Sequence, residues 1–118
     1  MVGSMARRRF SEEEYKQNPW FRQLCRALVS CRTETEMAAF LRDVATLPEL
    51  QSLGERLEVA RQLAAGRTYS DITNTTGASS ATISRVYSFF SGGAGGYKRI
   101  LQKEHTGKRS SRVGLRRS

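Results

Sequence analysis

The sequence predicts an all-α protein of one domain. Apolar residues recur at intervals of three and four along most of the chain, as on one face of an amphipathic helix. Residues that favour helix caps precede several of these segments, and no segment shows the apolar alternation of a β-strand. At 118 residues the chain is long enough for one hydrophobic core and too short for two.

Two helix-start signals occur close together near the N-terminus. Ser11 followed by Glu14 fits a capping box, in which each residue bonds to the backbone of the other. Asn18 before Pro19 fits a cap followed by proline at the first helical position. The sequence therefore predicts the first α-helix over residues 19–30.

The first two helices have unusually apolar faces, the second helix beginning at Thr33 or Thr35. The faces comprise Phe21, Leu24, Leu28 and Cys31 in the first helix and Met37, Phe40, Leu41 and Val44 in the second. A lone domain can cover one such face, and two favour burial against a partner subunit. The alternative is that both faces pack around the helices that follow.

The longest helix is predicted to open at Thr46-Leu47-Pro48, to run to about Ala65 and to end at Gly66. Its apolar stripe comprises Leu50, Leu53, Leu57, Ala60, Leu63 and Ala64. Gly54 lies inside this helix, where glycine costs roughly 1 kcal/mol relative to alanine. The close approach of another backbone is the predicted reason for this glycine.

Residues 69–90 predict two short helices joined by a tight turn at residues 77–79. Gly77 stands where a helix ends in the left-handed conformation, which only a residue without Cβ adopts cheaply. Ser79 or Ser80 then caps the second helix. Ile72 in the first helix is expected to pack against Ile83 in the second and to fix the angle between them.

The second of these helices, at about residues 79–90, has two different sides. Its apolar side comprises Ile83, Val86, Tyr87 and Phe90. Its other side, comprising Ser80, Ala81, Ser84, Arg85 and Ser88, is small or hydrogen-bonding and carries no negative charge. Such a helix fits a DNA major groove, while the preceding helix crosses the phosphates. An ordinary helical hairpin with solvated serines is the alternative.

Positive charge is concentrated at the two ends of the chain. The formal net charge is +9, of which residues 1–10 carry +3 and residues 105–118 carry +5. Two basic arms on a nearly neutral body are typical of nucleic-acid binders, although such arms also aid solubility or meet anionic lipid. The predicted phosphate-binding residues of the arms are Arg7, Arg8, Arg9, Lys108, Arg109 and Arg112.

The sequence also divides into three predicted segments. Residues 1–18 form a basic, disordered N-terminal arm, residues 19–104 the helical domain, and residues 105–118 a basic, disordered tail. Residues 1–4 resemble a remnant of cloning, so the native chain is expected to start at Met5. Residues 91–96 are predicted to form a flexible break before a short last helix over 97–101.

Several classes of protein are excluded by composition. No run approaches the ~20 apolar residues of a membrane span, and the N-terminus lacks the apolar segment of a signal peptide, so a cytoplasmic protein is expected. Cys25 and Cys31 point to different sides of one helix, and with His105 as the only histidine no metal site is predicted. No catalytic constellation and no cofactor-binding loop can be argued, so an enzyme is not expected.

The run from Leu53 to Leu101 resembles the Trp-repressor-like family, and most closely its YerC/YecD branch. The residues that carry the resemblance are Gln51-Ser52-Leu53, Arg56–Arg61, Gly66–Tyr69, Thr76–Ser79, Ala81–Val86 and Gly96-Tyr97. The resemblance implies an all-α helix-turn-helix bundle that forms an intertwined homodimer and places two recognition helices in successive major grooves of bacterial double-stranded DNA. Together with the polar side of the helix at about residues 79–90, the resemblance predicts the DNA-binding residues. They are Thr68, Ser70, Thr73, Ser79, Ser80, Ala81, Thr82, Ser84 and Arg85.

The same resemblance raises the question of a tryptophan effector. In the Trp repressor two arginines sandwich the indole, and Arg56 and Arg85 stand at the matching positions, which makes them a candidate effector pocket. Val86 and Phe89 replace a glycine that leaves room for the ligand and a serine that binds its amino group. An unsatisfied ammonium typically costs about 1–3 kcal/mol or more, so tryptophan is not expected to act as corepressor. The two arginines could instead pair with Glu55 or Asp71, or Arg85 could contact phosphate, which is the preferred interpretation.

The sequence therefore favours a dimeric, sequence-specific transcriptional regulator associated with the bacterial nucleoid. The alternative is a nucleoid-type or RNA-binding module in which the basic arms supply affinity that is largely independent of sequence. A helix-turn-helix used only for protein contact is a further possibility.

Overall fold

The computed structural model describes residues 9–103, and every regular element in this range is helical. The elements are a short 3-10 helix Tyr15–Gln17, α1 Pro19–Ser30, α2 Glu34–Val44, α3 Leu47–Ala64, α4 Tyr69–Thr76, α5 Ser80–Gly92 and α6 over residues 96–103. The predicted all-α class is confirmed. The chain divides into two compact units between Thr46 and Leu47.

Residues of the predicted types cap both helices of the first unit. The Asn18 Oδ1 atom accepts hydrogen bonds from the backbone N–H groups of Trp20 at 2.8 Å and Phe21 at 3.3 Å. The Thr33 Oγ1 atom accepts from the N–H of Glu36 at 3.1 Å, and the Glu36 carboxylate accepts from the N–H of Arg32 at 2.6 Å. Of the two candidate starts, Thr33 is therefore the one that begins α2.

The segment before α1 forms a hydrogen-bonded turn and a 3-10 helix, although Ser11 and Glu14 predicted a capping box. The Ser11 side chain accepts from the Glu14 N–H at 3.2 Å, and the Ser11 carbonyl accepts from the Tyr15 N–H at 2.8 Å. An α-helix does not follow, because Asn18 precedes proline and is extended, with ψ at 127°. Residues 11–18, which the sequence assigned to a disordered arm, are thus folded.

Neither helix of the first unit contains a buried residue. Phe21, Leu28, Met37 and Leu41 on the predicted apolar faces are half-buried, whereas Leu24 and Val44 are exposed. Trp20 is 55% exposed and Val29 is 85% exposed. The described part of the chain therefore leaves much of this apolar surface open.

The second unit has a buried core at the junction of three helices. It comprises Val59 and Ala60 of α3, Ile72 of α4, Ala78 of the turn, and Ile83 and Val86 of α5. Leu63, Phe90, Tyr97 and Leu101 are partly buried against this cluster. Ile72 and Ile83 belong to the same cluster and have no exposed surface, as the predicted contact between them requires.

Parts of the predicted apolar faces in this unit are exposed in the single chain. Tyr87 is 50% exposed, because Ile83 and Val86 direct α5 toward the core and leave Tyr87 at its edge. On α3, Leu53 and Leu57 are exposed, and the fully buried residues are Val59 and Ala60. The core thus covers only the C-terminal part of the α3 stripe.

Glycines end α3 and separate the last helices. Gly66 has a φ of 81°, its N–H donates to the Leu63 carbonyl, and the Arg67 N–H donates to the Gln62 carbonyl, both at 3.0 Å. This pair of bonds is a Schellman motif. Near the C-terminus, α5 extends to Gly92 and α6 begins at residue 96, so the break is shorter and the last helix longer than predicted.

The prediction that another backbone approaches Gly54 closely has no support within this chain. A Cβ atom built at Gly54 meets no heavy atom within 4 Å among the described residues.

Candidate nucleic-acid interface

The connection between α4 and α5 is fixed by backbone conformation and by a threonine hydroxyl. Gly77 is left-handed, with a φ of 79°, and its N–H donates to the Thr73 carbonyl at 2.8 Å. The Thr76 hydroxyl donates to the Ile72 carbonyl at 2.7 Å and accepts from the Ala78 N–H at 3.0 Å. Ala78 is buried, so the turn is tied to both helices and to the core.

Both helices of this pair begin with a side-chain cap. The Thr68 Oγ1 atom accepts from the Asp71 N–H, and the Ser79 Oγ atom accepts from the Thr82 N–H, each at 3.1 Å. The Ser79 hydroxyl also donates to the Thr82 hydroxyl at 3.2 Å. Of the two serines considered, Ser79 is therefore the cap of α5. Two residues predicted to bind DNA, Thr68 and Ser79, thus also hold the helix ends in place.

The structure exposes most of the predicted DNA-binding residues. On α5, Ser80, Ala81, Ser84 and Arg85 are exposed, whereas Thr82 is half-buried. Ser70 and Thr73 are exposed on α4. Because Ile83 and Val86 are buried on the opposite side of α5, the serine-containing side of this helix must face outward.

This outward surface contains no carboxylate. Residues 72–103 include no aspartate or glutamate, and their cationic residues are Arg85, Lys98, Arg99 and Lys103. The preceding carboxylate, on Asp71, pairs with Arg67 at 3.7 Å between Oδ2 and Nε. A phosphate approaching α5 therefore meets hydroxyl groups and positive charge, which favours an anionic partner.

A chain of hydrogen bonds links α4 to α3, and sequence reasoning missed it. The Thr75 hydroxyl donates to the Gln62 Oε1 atom at 2.9 Å, and the Gln62 amide donates to the Glu58 carboxylate at 2.9 Å. Glu58 also pairs with Arg61 at 3.3 Å. Arg61 and Gln62 follow Glu58 by three and four residues, the spacing of neighbouring side chains on a helix surface. This spacing could have indicated the two contacts of Glu58 within α3.

A pocket of about 230 Å³ lies between α3 and α5, beside this face. Its lining residues are Ser52, Glu55, Arg56, Thr82, Arg85, Val86, Phe89 and Tyr97. The structure thus brings Arg56 and Arg85 to one pocket, with Val86 and Phe89 in its wall. Neither arginine side chain forms an ion pair within residues 9–103, so the alternative pairings with Glu55 or Asp71 are not observed.

Of the predicted phosphate-binding residues in the two arms, the structure describes Arg9. Arg9 is exposed. The arm residues Arg7, Arg8, Lys108, Arg109 and Arg112 lie outside the described residues, as do His105 and the predicted tail.

The described fold is all-helical and presents a capped helix without acidic residues, α5, directly after the shorter helix α4. Residues 20–105 match the sequence profile of the family described as Trp repressor protein. The chain belongs to this family, as the resemblance predicted.

Similar proteins support the same assignment. The uncharacterized protein YerC of Bacillus subtilis (strain 168) is 43% identical over 81 residues, which are 69% of this chain and 78% of YerC. A TrpR-like protein from Eubacterium eligens ATCC 27750 is 42% identical, with a TM-score of 0.71 over 73% of this chain and 89% of that one. A proposed Trp repressor from Staphylococcus aureus is 34% identical, with a TM-score of 0.75 over 80% and 95% of the two chains.

Membership of this family implies a DNA-binding regulator and not an enzyme. Among the residues that the structure describes, no helix combines the length and apolar character needed to cross a membrane. The same residues contain no group of three histidine, cysteine or carboxylate side chains placed to hold a metal ion.

Proposed function

We propose that this protein is a sequence-specific, double-stranded-DNA-binding transcriptional regulator that acts as a homodimer. The α4–turn–α5 segment is a helix-turn-helix, and α5 enters the major groove. The observation that carries the proposal is the exposed, acid-free side of α5, which is opposite the buried Ile83 and Val86. A cytoplasmic location in a bacterium, at the nucleoid, follows from this function.

The chemistry of the α5 face fits base edges and phosphates. Ser80 and Ser84 carry hydroxyl groups that can donate to or accept from bases, and Ala81 offers a small apolar contact for a thymine methyl group. Arg85 lies one residue beyond Ser84 and is unpaired within residues 9–103, so it is available to a phosphate. The caps at Thr68 and Ser79 hold both helices in the orientation that these contacts need.

Exposed apolar surface in both units supports the homodimer. α1 and α2 contain no buried residue, and α3 exposes Leu47, Leu53 and Leu57. Apolar surface of this extent on a soluble protein marks an interaction site. A second copy of the chain that covers this apolar surface would also supply a second α5. A twofold dimer binds two DNA half-sites about 34 Å apart, which is one turn of the duplex.

The wall of the pocket argues against tryptophan as corepressor. Val86 is only 3% exposed and projects its side chain where the Trp repressor has glycine, and Phe89 offers no acceptor for an ammonium group. We therefore expect isothermal titration calorimetry with L-tryptophan to show no saturable heat. Tryptophan binding that strengthens operator affinity would contradict this part of the proposal.

The decisive experiment places a negative charge on the α5 face. Ser84→Glu should weaken binding to a selected operator about 100-fold or more, because a carboxylate against phosphate costs several kcal/mol. Ser84→Gln has similar bulk without charge, and Gln102→Glu adds the same charge on α6. Both controls should retain more affinity than Ser84→Glu, and sedimentation should show the dimer in all three variants.

The operator for this experiment comes from selection of bound sites from random duplex DNA. Enrichment of a palindrome with half-sites one helical turn apart would support both sequence specificity and the dimer. Undiminished binding by Ser84→Glu would show that this serine does not face DNA.

The location of the positive charge favours a second candidate function, that of a nucleoid-type or RNA-binding module. Of the net charge of +9, +5 lies within residues 105–118. Deleting these residues and measuring affinity against salt separates the candidates, because each phosphate contact contributes about 0.9 to the slope for duplex DNA. A regulator should keep its preference for the operator after the deletion, whereas a module that binds through its arms should lose most of its affinity for any sequence.

A further inference from the structure

The last described helix, α6, places an aromatic side chain between α3 and α5. Tyr97 and Leu101 of α6 are half-buried against the core of the second unit. Tyr97 also lines the pocket of about 230 Å³, and every other residue that lines this pocket belongs to α3 or α5. Leu101 does not line it, although it packs against the same core from the same helix. Of these two side chains, Tyr97 is thus the one that reaches the space between α3 and α5.

Along one side, α5 borders this pocket instead of packing directly on α3. The α5 residues that line the pocket are Thr82, Arg85, Val86 and Phe89, which follow one another at intervals of three, one and three. Residues at this spacing share one side of a helix. The distance between α3 and α5 along this side therefore depends on the groups that border the pocket, among them the Tyr97 ring.

The connection from α5 to α6 is closely defined by the backbone. The Gly93 N–H donates to the Phe89 carbonyl at 2.9 Å, and a Cβ atom built at Gly93 would lie 2.5 Å from the same carbonyl oxygen. A real Cβ atom does not approach backbone so closely, so this position has room for glycine alone. The Lys98 Nζ atom lies 6.0 Å from the centroid of the Phe90 ring, a cation–π contact that also ties α6 to α5.

We propose that Tyr97 is a positioning residue, whose ring holds α5 at the distance from α3 that operator binding requires. An α-helix rises about 1.5 Å per residue, so Ser80 lies about 9 Å along the helix axis from Val86. A tilt of about 10° around Val86 would move Ser80 by about 1.6 Å. Groups that recognise a ligand need to be held to within about 0.5 Å, so a tilt of this size would misplace the DNA-binding face.

Loss of the Tyr97 ring would act through the population of the correct orientation. Without the ring α5 is free to tilt into the pocket, and the apparent affinity for the operator falls in proportion to the fraction of molecules that keep the competent orientation. This inference rests on the proposed DNA-binding function. The effect of the ring on α5 can nevertheless be tested without DNA.

The first test measures backbone hydrogen exchange of residues 86–92 in the full chain without DNA. Tyr97→Ala should speed this exchange about tenfold, because local opening becomes easier where packing is lost. Tyr97→Phe keeps the ring and should exchange at about the wild-type rate. Leu101→Ala is the matched control, since it removes a half-buried side chain of the same helix outside the pocket, and it should also leave this exchange unchanged.

The second test compares the affinity for the selected operator with the affinity for a scrambled duplex of the same length. Tyr97→Ala should lower operator affinity about tenfold. It should leave affinity for the scrambled duplex unchanged, because non-specific binding depends on charge. Tyr97→Phe and Leu101→Ala should both bind the operator as the wild-type protein does. Urea denaturation should show similar destabilisation in Tyr97→Ala and Leu101→Ala, so that a loss of stability alone does not explain the difference in affinity.

The third test displaces α6 while keeping Tyr97 and the DNA-binding face of α5. Gly93→Ala introduces a Cβ that collides with the Phe89 carbonyl, and it should reproduce the loss of operator affinity seen in Tyr97→Ala. The double variant should lose no more than the larger single loss, because both changes remove the same contact. Gly92→Ala is the control and should bind as the wild-type protein does, since a Cβ there meets no heavy atom within 4 Å among the described residues.

The outcomes separate the effect on α5 from the effect on DNA binding. Unchanged hydrogen exchange in Tyr97→Ala would show that the ring does not hold α5. Faster exchange with unchanged operator affinity overturns the positioning role, as do equal losses of affinity in Tyr97→Ala and Leu101→Ala. If the wild-type protein binds no duplex DNA at low salt, the proposed function fails, while hydrogen exchange still decides whether Tyr97 holds α5.

Discussion

The two compact units of this chain contain similar helices but bury their apolar residues to different extents. In the second unit, α3, α4 and α5 enclose Val59, Ile72 and Ile83 with no exposed surface. In the first unit, α1 and α2 have amphipathic faces of comparable apolar content, and neither contains a buried residue. Burial therefore depends on a third element that covers a helix pair, and the described residues supply one only in the second unit.

This contrast shows where each unit obtains its stability. The second unit has a core of its own, but at about 70 residues a single core is marginal, since few apolar side chains can be removed from water. The first unit needs a covering surface, which the proposed homodimer provides. If the proposed homodimer forms, the stability of both units depends on it, even though only one has a buried core.

The largest expected effect is that of removing the first unit. Deleting residues 1–46 leaves Leu47, Leu53 and Leu57 on α3 without the helices that would cover them in the dimer. We expect insoluble or unfolded protein and not a stable monomer, as judged by sedimentation velocity and circular dichroism. A variant lacking only residues 1–10 is the control and should remain a soluble dimer. A well-folded monomer from the longer deletion would argue against the interlocked dimer.

A smaller effect is expected from single substitutions that compare buried and exposed positions on α5. Ile83→Ala removes a side chain with no exposed surface and should lower the free energy of unfolding by about 2–5 kcal/mol. Tyr87→Ala, at a half-exposed residue on the same helix, should lower it by less than about 1 kcal/mol. Urea denaturation at a fixed protein concentration measures both. Equal losses would mean that Tyr87 is covered in the assembled protein.

The smallest expected effects are those of replacing either of two glycines by alanine. Gly77→Ala should cost about 1 kcal/mol, because alanine is strained at a φ of 79° although its Cβ meets no atom. Gly54→Ala is the informative comparison, since alanine favours a helix by about 1 kcal/mol and a Cβ there is unhindered within the described chain.

If a partner's backbone approaches Gly54 in the dimer, Gly54→Ala should nevertheless weaken the dimer, and this is the result that we expect. The dimer dissociation constant, measured by sedimentation equilibrium, is the appropriate readout. A gain of stability with an unchanged dissociation constant would show that no partner backbone lies there.

Helix boundaries were largely predictable because they depend on neighbouring residues. Asn18 with Pro19, Thr33, Gly66, Gly77 and Ser79 all act at helix ends, and each was predicted at its position or within a choice of two. Caps and left-handed turns are decided by bonds between residues two to five apart. At Ser11 the side chain accepts from the Glu14 N–H, as a capping box requires, and the extended residue before Pro19 limits the helix that follows to one 3-10 turn.

The candidate site was predictable in part. The serine-containing side of α5 and the convergence of Arg56 and Arg85 followed from periodicity and from the family resemblance, and the structure places these residues at the surface and at one pocket. The bond from Thr75 to Gln62 was not predictable, because its partners are 13 residues apart and meet only when α4 packs on α3. The aromatic contact of Phe10 with Phe21 also depends on how the intervening chain turns.

By itself, the sequence determined the helical class, the cap and turn positions, the acid-free side of α5 and membership of the family. Only the tertiary structure decided that Val59 and Ala78 are buried, that Tyr87 is exposed, and that the first unit has no core of its own. The physical reason is that helix formation and capping are settled by residues close in sequence. Burial depends on which distant surfaces meet, and periodicity shows only that a face is apolar.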